Sequence, residues 1–180
     1  MKSLRIVIAL LIVLVAGGAA IVLSGAIDVA ATTPEPGFVK AILEQARERS
    51  VERRAKLVKV PELGSPEQVA KGLEEYVEMC AACHGGPGRE HSEIAQGLNP
   101  PPPQFSRSLH DEPQEVFWIV KNGIKMTGMP AFGPTHDEET IWAIVAFLKK
   151  IDELTPEQKQ ALARGGEEEE EHHDHEGEHP

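Results

Sequence analysis

The chain has 180 residues and a formal net charge of −11, enough for one domain of ordinary size plus appendages. The last fourteen residues, Glu167 to Pro180, hold eight of the 29 acids and no Lys or Arg, which leaves 18 basic and 21 acidic residues, a net of −3, in residues 1–166. The body is nearly balanced and poor in aromatics, which argues against nucleic-acid binding.

Met1 to Arg5 carries Lys2 and Arg5, and Ile6 to Ile27 follows as 22 residues without a charge. A helix of about 20 apolar residues crosses a hydrocarbon core. A cleaved signal peptide is the competing reading, but its apolar region usually runs only about 7–15 residues. Residues 1–31 are therefore read as a transmembrane anchor. Lys2 and Arg5 argue for an inside N-terminus, although Lys40 and Arg47 on the far side weaken the charge bias.

Residues 32–64 read as a linker with a basic helix. Thr32 to Gly37 is rich in helix breakers. Phe38 to Lys59 then shows apolar residues at 38, 39, 42, 43 and 46, a helical spacing. Seven basic and three acidic residues lie between Gly37 and Val60. Two readings stay open for this helix: a basic surface on anionic lipid headgroups, or a solvated spacer.

Residues 65–154 read as the folded, all-α domain. Ser65-Pro66-Glu67 starts a helix, with Ser as N-cap and Pro in the first helical position. That helix carries Val69, Leu73, Tyr76 and Val77 and has Gly72 inside it. It runs into Cys80-Ala81-Ala82-Cys83-His84, and these are the chain's two cysteines. Two thiols three positions apart, followed at once by His, is the pattern for covalent attachment of a c-type haem, with the histidine as proximal iron ligand. A redox dithiol would need a βαβ context, and a zinc site would need a second ligand pair. A structural disulfide would need only an oxidising compartment.

Two breaker-rich stretches follow, Gly85 to Gly88 and Asn99 to Pro103, the second with four prolines in a row. Glu112 to Asn122 reads as a short helix closed by Gly123. Gly128 to Gly133 reads as a loop. Thr135 to about Leu154 reads as the last helix, with Asp137, Glu138 and Glu139 in its first turn. Residues 155–180 read as an acidic, His-rich tail, in which 155–166 continue or fray the last helix and the run after Gly165-Gly166 is disordered by composition. The plain reading of this run is a solubilising acidic tail; the alternatives are docking to a basic partner and, through His172, His173, His175 and His179, binding of a divalent metal such as Zn, Cu or Ni.

The C-A-A-C-H motif, the T-G-M-P-A-F-G stretch forty-odd residues later, Gly72-x-x-x-Tyr76, Asn122-Gly123-Ile124 and Ile141 to Leu148 together resemble a class I cytochrome c of the small, membrane-anchored mono-haem type. The resemblance covers roughly residues 66–151. It implies the cytochrome c fold, in which the first and last helices cross with Gly72 and Tyr76 against the face of Trp142 to Leu148. It implies one haem c bound through Cys80 and Cys83, with His84 and Met129 as axial ligands. Met126 is the local rival, and His91, His110 and His136 are the rivals in a bis-His site. It also implies a proline carbonyl from 100–103 on the imidazole of His84. Trp118, Phe132 and Phe105 are candidates to wall the haem. Lys121 and Lys125 are candidates to steer a partner.

A thioether opposite His84 leaves the iron no open position, so the expected role is an electron carrier and not an enzyme. The function expected from the resemblance is one-electron transfer between respiratory or photosynthetic complexes. The anchor would sit in the cell inner membrane as a single pass, with the haem domain on the periplasmic side. The alternatives are a haem-based sensor or metal-binding module, and a cytochrome subunit of a larger oxidoreductase.

Overall fold

The computed structural model describes residues 2–163; the acidic run and the four histidines from 172 onward lie outside the described residues. Two units are described separately, one up to Pro34 and one from Glu35. The first contains α1, Lys2–Leu23. At 1.5 Å per residue it is about 33 Å long, enough to cross a bilayer. Its large apolar side chains are exposed.

The second unit holds α2 (Gly37–Ala55), α3 (Pro66–Met79), α4 (Ala81–His84), α5 (Glu93–Gln96), α6 (Pro113–Asn122) and α7 (Glu138–Leu148). No strand occurs among the described residues, only an isolated bridge between Gly86 and Arg89. The fold is all-α, as the sequence indicates.

α7 is the centre. Every residue from Thr140 to Leu148 is buried. A helix apolar on all sides has to be covered on all sides, and α3 and α6 supply much of that cover. Asp137 starts it, its carboxylate accepting from Thr140 N at 2.8 Å. The acids at 138 and 139 therefore sit in its first turn, and Thr135 and His136 remain outside in a turn on Phe132. α7 stops at Leu148, short of the expected Leu154. Lys150 N bonds back to Phe147 O and Glu153 N to Lys150 O, three residues each, which tightens and ends the helix.

α3 crosses α7 at Gly72. A Cβ there would stand 2.0 Å from Ala143 O and 2.8 Å from Phe147 Cβ. Tyr76, fully buried, lies with its ring 4.9 Å from that of Phe147. Phe117 of α6 stacks on Trp142 at 4.1 Å. Burying side chains such as Ile141, Ile144 and Phe147 contributes about 1.5–3 kcal/mol each.

Two segments outside the expected core join it. In α2, Val51 and Ala55 are buried, and the helix packs on α6. After Leu154 the chain does not enter a tail at once. Residues 156–163 are helical. Thr155 accepts from Gln158 N while its own N–H donates to Gln158 Oε1, a reciprocal cap. This turn carries Leu162, fully buried, to Gly86, where a Cβ would meet Leu162 Cδ2 at 2.6 Å. Leu162→Ala is expected to lower stability by about 2–3 kcal/mol, at the low end for a buried leucine because the site is terminal; urea unfolding of the two chains measures it.

Candidate haem site

The motif residues sit where α3 hands over to α4. Cys80 ends α3 and is buried, and Cys83 is half-buried; both thiols are free. Burial pushes the Cys80 thiol up to about 12, helped by the nearby Cys83 and Glu75. A neutral, buried thiol is protected until a reactive partner is brought to it.

His84 closes α4. Its Nδ1 lies 2.9 Å from Pro103 O. A carbonyl can only accept, so Nδ1 carries the proton and Nε2 keeps its lone pair. Burial lowers the pKa of the imidazole; the Pro103 bond opposes this in part, and the neighbouring His91 adds to it. Both features suit a neutral imidazole whose free nitrogen is a metal ligand. Of the four prolines, Pro103 is the one that serves. Phe105 reinforces the placement: its N–H donates to His84 O at 3.0 Å, and its ring stacks on the imidazole at 4.6 Å. Tyr76 OH donates to Gly85 O at 2.9 Å from within the core. Tyr76→Phe is expected to cost about 1–3 kcal/mol by orphaning that buried carbonyl; thermal unfolding reads the loss.

Met129 lies in the loop between α6 and α7, half-buried and packed against the core. The loop is tied to itself. Met129 N donates to Thr127 Oγ1, Thr127 Oγ1 donates to Ile124 O, and Ile124 N donates to Met129 O. Gly123 turns into it at φ 64°, where a Cβ would meet Pro130 C at 2.7 Å. Gly128 faces Leu98 across the loop.

The rivals are placed differently. Met126 is 97% exposed and holds a positive φ of 60°. His110 is exposed. His136 bonds Thr135 through Nδ1, has its Nε2 3.8 Å from Glu75, and meets Phe132 edge-on. His91 is half-buried, with Nε2 buried and without a hydrogen-bond partner. Its segment is fastened to the motif by Ser92 N on Ala82 O. Beside it Arg89 is buried at 8% exposure. Sequence reasoning weighed His91 as an iron ligand and passed over Arg89. The buried Nε2 of His91, next to the attachment segment, suits a carboxylate group of a porphyrin. Of the proposed wall residues, Phe105 touches His84, Phe132 is in the core, and Trp118 is half-buried. Lys121 is engaged with Glu138 at 2.5 Å and lies over the Phe117 ring, while Lys125 is exposed.

These features are those of a cytochrome c domain. Residues 67–148 match the family described as cytochrome C oxidase, cbb3-type, subunit III, and this stretch is a class I cytochrome c domain. Over 96 residues the chain is 29% identical to the quinohemoprotein alcohol dehydrogenase ADH IIB of Pseudomonas putida; that stretch is 52% of this chain and 13% of the relative. The chemistry of such a domain is haem-based electron transfer. When bound, the haem supplies an iron that changes charge by one electron; the polypeptide supplies its ligands, its orientation and its cover.

Proposed function

We propose that the chain is a membrane-tethered mono-haem cytochrome c that carries one electron between redox partners, respiratory or photosynthetic complexes, on the periplasmic side of the inner membrane. One haem c is held covalently by Cys80 and Cys83, with His84 and Met129 as axial ligands. What supports this reading is a tautomer-fixed His84 in the attachment segment and, on another loop, a self-tied Met129. With both residues on the iron, no position would be open to a substrate, which would suit charge transfer. α1 is the tether.

The test is a visible spectrum of the full chain, purified in detergent with its haem. A pyridine haemochrome value of one haem per chain, with both vinyl groups saturated, supports two thioether bonds. Failure of the reduced protein to bind carbon monoxide supports the carrier. Ready binding supports the haem-sensor reading instead.

A second reading shares the same site: a cytochrome subunit fixed to a larger oxidoreductase. The matched family's description names an oxidase subunit, and the quinohemoprotein is a much longer protein than the matched stretch. Co-purification of a stoichiometric, larger redox enzyme from native membranes favours this reading; recovery of the cytochrome alone favours the shuttle.

A further inference from the structure

α2 has two faces. At about 100° per residue, Phe38, Val39, Ile42, Leu43 and Ala46 centre on one side of the helix. Val51 and Ala55 centre roughly 170° away, close to the opposite side. Only the second side is buried, at 6% and 1% exposure, whereas Phe38 is 70%, Ile42 64% and Leu43 59% exposed. The helix thus grips α6 with its C-terminal half and turns an apolar stripe away from that contact with its N-terminal half.

The charges sort the same way. Extended towards the C-terminus, the outward stripe passes through Arg49, Ser50 and Arg53. The acids Glu44, Glu48 and Glu52 fall outside it on the wheel. The stripe therefore combines apolar and cationic groups and keeps carboxylates to its edge, where Glu52 pairs with Arg49. Arg49 reaches Glu52 at 3.2 Å but remains 73% exposed, and Arg53 is exposed. Large apolar side chains next to exposed arginines, with acids only at the edge, suit an interfacial helix on an anionic bilayer. The chain length permits it. Residues 24–36 separate α1 from α2, a stretch that spans at most about 45 Å.

We propose that the outward stripe of α2, Phe38, Ile42, Leu43, Ala46, Arg49 and Arg53, is a docking surface for anionic lipid, so that the cytochrome unit rests on the bilayer through α2. The inference goes beyond the tether. α1 holds the chain to a membrane, and α2 fixes which side of the unit meets it. It rests on the proposed function only in taking the unit to work beside a membrane.

The experiment is hydrogen–deuterium exchange of the full, haem-loaded chain in nanodiscs carrying one chain each, with zwitterionic lipid alone or with a third anionic lipid. Amides of residues 38–50 are expected to exchange about tenfold more slowly in the anionic discs, since each arginine near such a surface contributes about a fivefold gain in association. Arg49→Glu with Arg53→Glu, and separately Phe38→Ser with Ile42→Ser, are expected to abolish the difference while the haem spectrum and the α3 and α7 amides stay unchanged. Equal exchange in both discs overturns the proposal. So does protection that appears only with two chains per disc or with added membrane protein, because the occupant is then a protein. Retention of the chain in zwitterionic discs is read separately and reports on α1: its loss overturns the tether and leaves lipid-dependent protection of α2 as support for this inference.

Discussion

Met129→Ala, loaded with haem, is expected to lose the weak far-red sulfur-to-iron band of its oxidised form, and its reduced form is expected to bind carbon monoxide. The reduction potential is expected to fall as well, because a thioether ligand raises it. The loop is built to present this side chain: Thr127 and Ile124 hold its backbone from both sides, and Gly123 sets the turn before it. Truncating a half-buried methionine also removes about 1–2 kcal/mol of packing, so the spectrum is to be recorded well below the unfolding temperature. Met126 is the internal control. It is 97% exposed at a φ of 60°, so Met126→Gly is expected to leave the spectrum and carbon monoxide behaviour untouched. It is also expected to stabilise the chain by up to about 1 kcal/mol through relief of left-handed backbone strain. A wild-type spectrum without the sulfur band, or a Met126 variant that loses it, assigns the iron to another ligand.

Gly72→Ala is expected to be the most destabilising single-methyl change in the domain. Alanine is ordinarily the better helix former by about 1 kcal/mol, so surface reasoning gives the opposite sign. Here the added carbon would stand 2.0 Å from Ala143 O and 2.5 Å from Ala143 C. Those are backbone atoms of a helix buried from Thr140 to Leu148, and they cannot rotate aside. Overpacking commonly costs 1–3 kcal/mol, and an obstacle made of backbone puts this case at about 3 kcal/mol or more. Against a total stability of about 5–15 kcal/mol, that loss is visible as a large shift of the urea midpoint and a reduced yield of haem-loaded protein. An unchanged midpoint means that the helices do not cross at this distance.

The parts legible in the sequence were those with short-range grammar. The periodicity of α6, the apolar density of α7, the Ser65-Pro66 start of α3 and the Cys-x-x-Cys-His motif each state their role within a few residues. The closing turn is legible too, where the sequence reading allows only a continuation or fray of the last helix. Thr155-Pro156-Glu157-Gln158 repeats the logic of Ser65-Pro66-Glu67-Gln68, and in both places the Gln side chain accepts a backbone N–H near the cap. α5 is four residues long and too short for a period. The burial of Val51 and Ala55 was illegible for another reason: two apolar residues among arginines and glutamates make no pattern, and the partner that covers them lies some 60 positions later, on α6. Which proline would face His84 depended on the path of the loop, which no local rule fixes.

The crossing of α3 and α7 has a consequence for the order in which the protein is made. Gly72 and Ala143 are about 70 residues apart, and closing a loop of that length costs on the order of 4 kcal/mol in chain entropy before any contact is gained. The cysteines and histidine of the attachment segment emerge at the front of that loop, and the helix that packs α3 emerges at its back. During synthesis the receiving segment is therefore exposed while its cover is still being made. Arrival of the last helix, followed by the turn that seats Leu162 under Gly86, shuts the assembly from the C-terminal end.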